Sequence, residues 1–259
     1  MGKLTTLLFD VDGTLADTEE IHRQAFNRAF HQAGLDWEWS PRLYRDLLAV
    51  TGGRERIRHY LAVHRPGFEP PMNLDEYIAG LHAAKTDIYT RRVAGGGLSL
   101  RPGVLRLIRE ARERGLRLGI ATTTTPANVQ ALLEHAIGPE ALAWFDVIAA
   151  GNQVPEKKPA PDIYQYAMGE LGAGPEQCLA IEDSDNGLHA ALGAGLETLV
   201  TVNPFTEGHV FEDALLVTDG LGEPDRPLRV LSGRVGYDRS CIDVDGLLQL
   251  HAAGRYGVA

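Results

Sequence analysis

Thr5 to Phe9 is a short apolar, partly β-branched run that ends on Asp10-Val11-Asp12-Gly13-Thr14, and this junction constrains the fold more than any other stretch. Such a run, stopped by a carboxylate and a glycine, predicts a buried parallel strand, and catalytic groups in open α/β sheets collect at the carboxyl ends of strands. In a strand continuing past Phe9, Asp10 and Asp12 would project to one side, with Gly13 allowing a sharp turn away. Carboxylates so crowded repel one another unless a cation lies between them or one holds a proton. The pattern asks for a divalent metal, one nucleophilic carboxylate and one proton carrier. Asp-x-Asp-Gly is also an ordinary turn sequence, so its weight depends on the residues that other strand ends carry.

From Thr18 the rhythm turns helical. Ile21, Ala25, Phe26, Ala29, Phe30 and Ala33 recur at spacings of three and four, and Gly34 ends the run. Trp37, Trp39 and Pro41 mark a turn, helices are predicted over roughly 41–50 and 53–64, and a longer one over about 74–93 follows the breaks at Arg65-Pro66-Gly67 and Pro70-Pro71. Residues 15–94 thus read as an all-helical cap inserted into a core made of residues 1–14 and 95–259. Its hinges are 14–17 and 94–97, the second containing the flexible Gly95-Gly96-Gly97 linker.

Beyond the linker, helix and strand alternate. A helix with Pro102 in its first turn closes at Gly115, and strands at 117–121, 145–149, 178–181 and 197–202 are separated by helices near 126–135, 161–171 and 187–194. Alternation of this kind predicts an α/β fold, a doubly wound, Rossmann-like parallel sheet with right-handed crossovers. After Val202 the pattern weakens to a short strand at 215–217, another at 241–244 and a terminal helix around 247–253.

A formal charge of −10 and a pI near 5.4 argue against general affinity for nucleic acid or an anionic membrane. No apolar run approaches the roughly 18 residues of a membrane helix, and Met1-Gly2-Lys3 leads straight into the first strand without a signal-peptide core. The expected address is cytoplasmic. Cys178 and Cys241 cannot make a disulfide framework and lack metal-binding spacing, so both read as structural thiols.

Further strand ends carry pointed chemistry. The strand at 117–121 runs into Thr122-Thr123-Thr124-Thr125-Pro126, whose hydroxyls and free N–H groups at a helix start make an anion site, although a threonine-rich N-cap reads the same way. Lys157 and Lys158 sit in a stiff segment, Glu156 to Asp162, held by Pro159 and Pro161. The strand at 178–181 ends in Glu182-Asp183-Ser184, followed by Gly187. Asp10, Asp12, Glu182 and Asp183 could converge on one cation.

In this order, DVDGT from Asp10, the strand ending at Thr122, KPAPDIY from Lys158 and IEDSDNG from Ile181, the chain resembles the haloacid dehalogenase superfamily phosphatases of the β-phosphoglucomutase-like branch. The resemblance implies that Asp10 attacks phosphorus to form an aspartyl phosphate, and that Asp12 protonates the leaving oxygen and then deprotonates water. It implies Mg2+ held by the Asp10 carboxylate, the Asp12 backbone carbonyl, Asp183 and Glu182, the last directly or through water. Thr122 and Lys158 would hold the transferring phosphoryl oxygens.

In the cap, Glu19 and His22, the WEWSPRLY run ending at Tyr44, and Thr51-Gly52-Gly53-Arg54-Glu55-Arg56 are similar to the CbbY-type phosphatases associated with carbon fixation, which act on xylulose 1,5-bisphosphate. Glu19, His22, Tyr44, Gly52, Gly53, Arg54, Glu55, Arg56, Lys85, Thr123 and Thr124 are the implied substrate contacts. A bisphosphate needs donors for its second phosphate, and Gly52-Gly53 offers N–H groups while Arg54 offers a fork. Arg54, Arg56 and Lys85 could equally form a solvated helix face. The implied partner is a small sugar phosphate or bisphosphate, with Mg2+ the only cofactor and the chain a monomer. A sugar phosphomutase of the same branch shares the core motifs. A non-catalytic phosphoacceptor would need neither the second acid at Asp12 nor a cap. The segment 220–237 is longer than this family leads one to expect.

Overall fold

The computed structural model describes residues 3–256. Its sheet contains β1 (Thr6–Phe9), β2 (Arg117–Thr122), β3 (Val147–Ala150), β4 (Cys178–Glu182), β5 (Glu197–Thr201), β6 (Leu216–Thr218) and β7 (Val230–Ser232). Their order is β3-β2-β1-β4-β5-β6-β7, and every pairing is parallel except β6 with β7. Because successive side chains of a strand alternate between faces, Leu7 and Phe9 of β1 enter one core while Leu8 enters the other. Parallel strands apolar on both faces need helices on both sides. Here α5 (Val104–Glu113), α6 (Pro126–Ala136) and α9 (Val244–Tyr256) cover the first face, and α7 (Asp162–Leu171) with α8 (Asp185–Gly193) the second.

Outward from β1, the chain runs one way to β2 and β3 and the other way from β4, so the order reverses between β1 and β4. A crevice opens at the carboxyl ends of strands where the order reverses. The register pairs Phe9 with both Ile120 and Ile181. Asp10, Ala121 and Glu182, each one residue further on, therefore come level at its floor.

Between β1 and α5 lie α1 (Glu19–Gln32), α2 (Pro41–Leu47), α3 (Gly53–His64) and α4 (Leu74–Ala94). They build an aromatic core of their own from Phe26, Phe30, Trp37, Trp39, Tyr44 and Tyr60. Trp39 stands 4.6 Å from Phe26 and 5.0 Å from Phe30, ring to ring, separations at which aromatic pairs attract. The Asn27 side chain accepts from the Trp39 N–H at 2.8 Å and donates to its carbonyl at 3.0 Å. The turn at 37–41 is thus the seal of the helical unit.

Two expectations need correction. Pro102 lies outside α5, whose N-cap is Gly103 at φ 85°. No strand occupies 241–244; the extra strand is β7, from the segment 220–237, and all its residues are exposed, so no alternating burial marks it in sequence. Cys241 instead gives its carbonyl to the Tyr237 hydroxyl at 2.8 Å, and the Asp243 carboxylate accepts from the Gly246 N–H at 2.7 Å, an N-cap contact for α9. Among the described residues no helix is long and apolar enough to cross a membrane.

Candidate active site

Asp10 follows β1 directly, and its N–H donates to the Ile181 carbonyl at 3.0 Å, so the nucleophile candidate is fixed to the neighbouring strand. Lys158 Nζ lies 2.7 Å from Asp10 Oδ1, 2.6 Å from Glu182 Oε1 and 2.8 Å from the Ala121 carbonyl. Glu182 is fully buried and also receives the Tyr164 hydroxyl. Lys157 turns the other way, to Glu55 at 2.8 Å. Only Lys158 of the pair reaches the acids.

Asp10, Glu182 and Asp183 each place a carboxylate oxygen so that all lie within 4.8 Å of one another. The one ammonium contacts two of these three carboxylates. Burial pushes Asp10 up to about 7 even with Lys158 beside it, and burial together with the charges of Asp10 and Glu182 pushes Asp183 well above the usual carboxylate range. A hard divalent cation bound by oxygen relieves this kind of crowding, so the donor set fits Mg2+. The Asp12 carboxylate is outside the set, which leaves Asp12 only its backbone carbonyl to offer.

Asp12 Oδ1 accepts instead from Thr18 Oγ1 at 2.7 Å and meets His22 Nε2 at 2.9 Å. Against the opposing effect of burial, His22 and Thr18 hold Asp12 well below the usual range. Behind His22, Lys85 Nζ approaches Nδ1 at 2.7 Å. Burial lowers Lys85 to about 8, and it remains an ammonium at neutral pH. An ammonium can only donate, so Nδ1 accepts and Nε2 carries the hydrogen given to Asp12. The Tyr89 ring stacks on the imidazole at 4.1 Å and fixes its plane.

A cavity of about 920 Å³ separates the sheet ends from the helical unit. Asp10, Asp12, Thr122, Thr123, Thr124, Lys158 and Asp183 line it from the sheet, and Glu19, His22, Gly52, Gly53, Arg54, Arg56 and Lys85 from the helices. Thr122 to Thr125 all line the wall, and Thr125 Oγ1 also caps α6 by accepting from the Asn128 N–H at 3.3 Å. Tyr44 and Glu55, implied as substrate contacts, are not on the wall. Tyr44 is fully buried in the aromatic core and donates to Glu19 Oε2 at 2.8 Å, while Glu55 answers Lys157. Arg56 is committed to the Leu47 carbonyl and the Tyr44 hydroxyl, each at 3.2 Å. Arg54 lines the cavity and makes no hydrogen bond or ion pair among the described residues.

The pattern of the haloacid dehalogenase-like hydrolases matches residues 4–195. The chain belongs to this family. It is 50% identical over 225 residues to Protein CbbY, plasmid, of Cupriavidus necator, across 87% of this chain and 89% of that protein. The crystal structure of CbbY from Rhodobacter sphaeroides in complex with phosphate matches it with a TM-score of 0.80 at 48% identity, covering 84% of this chain and 94% of that one. A D10N variant of CbbY from Rhodobacter sphaeroides in complex with xylulose 1,5-bisphosphate matches with a TM-score of 0.80 at 47% identity, over the same 84% and 94%.

Around the cavity of this hydrolase stand further residues that its sequence does not advertise. His82 reaches the cavity wall, where burial and the charges of Lys85, Arg54 and Lys157 lower it to about 3 and keep it neutral. Its position three residues before Lys85 on α4 was the available signal. Asn186 binds the Ala49 carbonyl at 3.2 Å and Thr51 Oγ1 at 3.0 Å across the cavity mouth. Asn203, which binds Asp183, and Arg101, which binds the Gly13 carbonyl, belong to no motif and carry no periodic signal.

Proposed function

We propose that this hydrolase is a Mg2+-dependent phosphatase that works through an aspartyl phosphate, with xylulose 1,5-bisphosphate as substrate and xylulose 5-phosphate as product. The arrangement that supports this best is two acids with different partners on one cavity: Asp10 against Lys158, and Asp12 against His22. Separate partners allow the two carboxylates separate duties, Asp10 as the nucleophile and Asp12 as the acid–base group.

Asp10 attacks phosphorus, the bond from phosphorus to the sugar oxygen breaks, and Asp12, ionised beside His22 but entering this step protonated once substrate is bound, gives that oxygen its proton. Asp12 then takes a proton from the water that attacks the aspartyl phosphate, releasing phosphate and restoring Asp10. Lys158 and Thr122 hold the phosphoryl oxygens throughout. Mg2+ held by Asp10, Glu182, Asp183 and the Asp12 carbonyl would neutralise the charge gathered there. Arg54 takes the distal phosphate.

Phosphate release from xylulose 1,5-bisphosphate, followed with and without chelator, tests the reading. Activity should vanish with chelation and return with Mg2+, and Asp10→Asn should lower turnover by orders of magnitude while the fold is retained. An active Asp10→Asn protein, or an isomerised sugar phosphate in place of free phosphate, would refute it.

A further inference from the structure

Asp183 is the member of the acid cluster without a lysine partner, yet one of its oxygens is firmly held. Asn203 Nδ2 donates to Asp183 Oδ2 at 2.6 Å, and the same amide nitrogen lies 3.4 Å from the Gly13 carbonyl. The amide cannot turn over: Asn203 Oδ1 accepts from the Phe205 N–H at 2.9 Å, so the donor end must face the acid. Asn203 is 6% exposed and its own N–H donates to Thr206 Oγ1 at 3.1 Å. Gly13 fits against this bond because it has no side chain. A Cβ there would strike both Asp183 Oδ2 and Asn203 Nδ2, and the residue sits at φ +83°.

The backbone on either side is clamped in turn. The buried Arg101 guanidinium donates to the carbonyls of Gly13, Thr201 and Val202, to Thr201 Oγ1 at 3.1 Å and to the Asp219 carbonyl at 3.4 Å. Its Nε faces the Asp17 carboxylate at 3.3 Å. Gly13 is the carbonyl that Asn203 approaches, and Val202 is the residue that carries Asn203. Arg101 therefore fixes both ends of the Asn203 bridge.

We propose that Asn203, clamped by Arg101, is a positioning residue that aims Asp183 at the divalent cation. The inference rests on the phosphatase reading. Engaging Oδ2 sets the carboxylate plane, while Oδ1 makes no hydrogen bond among the described residues and stays open to the cation, and such partners of metal ligands govern affinity by about ten- to a hundredfold.

The test is Mg2+ binding itself, measured by titration calorimetry on chelator-treated protein, beside the Mg2+ dependence of phosphate release. Asn203→Ala should bind Mg2+ about ten- to a hundredfold more weakly, with kcat at saturating Mg2+ recovering to within a few-fold. Asn203→Ser separates the two duties of the side chain, since its hydroxyl can still accept from the Phe205 N–H as a turn cap but is too short to reach Asp183. It should lose Mg2+ affinity as Asn203→Ala does. Wild-type affinity in Asn203→Ser, or a loss of kcat that Mg2+ cannot recover, overturns the assignment and leaves Asn203 a loop residue. A wild-type protein that binds no Mg2+ overturns the phosphatase reading together with it, whereas Mg2+ binding that is strong in all three proteins overturns the positioning role alone.

Discussion

Asp12 sits where the sheet hands the chain to the helices, and its proton chemistry is set by two side chains that come from elsewhere. His22 on α1 and Lys85 on α4 form a single file of donors ending on Asp12 Oδ1, under a lid made by Tyr89 and by Phe26, whose ring lies 4.9 Å from Lys85 Nζ. Lys85→Met keeps the bulk and removes the donor, so His22 is no longer bound to one tautomer. A charge-assisted contact contributes about 1.5 to 3 kcal/mol, which predicts a roughly ten- to hundredfold loss in kcat/KM. In an Asp12→Asn background the same substitution should cost little more, because groups acting as one unit are not additive. Losses that multiply would show that Lys85 acts independently of Asp12. At this scale the motifs pointed to Asp10, Glu182, Asp183 and Lys158, and the structure brings these four side chains together. The sequence could not reveal that Tyr44 and Arg56 bind each other, because that pairing depends on how α2 meets α3.

His251 shows what an element contributes through burial alone. It lies on α9, 2% exposed, and its Nε2 has no partner among the described residues. Burial, with Arg255 nearby, lowers it to about 4 from the ordinary 6.5. Between those values the unfolded chain binds more protons than the folded one, so this group's stabilisation is complete above pH 6.5 and is lost as pH falls toward 4. Relative to His251→Gln, wild-type Tm should therefore decline progressively over that window and run parallel above it. Calorimetric scans at closely spaced pH values check this, and an offset that stays constant across the window would refute it. The strands from β1 to β5 were legible because each is a short apolar run ending in Gly, Thr or an acid. The start of α9 and the position of β7 were not, since an exposed antiparallel edge has no period to read and an Asp243 cap resembles any other loop aspartate.

At the scale of the whole molecule, the cavity exists because the helical unit is drawn onto the sheet at several points around its rim. Lys157 meets Glu55 at 2.8 Å, Asn186 binds Ala49 and Thr51, and Arg45 donates to the Pro204 carbonyl at 3.1 Å. Each is a modest contact between partly exposed groups, a rim that can open to admit substrate and close behind it. Lys157, Arg56, Lys85 and Arg54 all line the cavity, but the first three are committed to protein partners and Arg54 alone among the four makes no hydrogen bond or ion pair among the described residues. If it receives the distal phosphate of a bisphosphate, its binding energy helps to close the rim and align the scissile phosphate over Asp10. Arg54→Ala should then lower kcat/KM for xylulose 1,5-bisphosphate by roughly ten- to a hundredfold, the worth of one charge-assisted contact of about 1.5 to 3 kcal/mol. A sugar monophosphate never used that contact and should lose little. A solvated arginine gives no such selectivity, so parallel losses on the two substrates, or none on either, would remove Arg54 from the site and leave the second phosphate without its receiver.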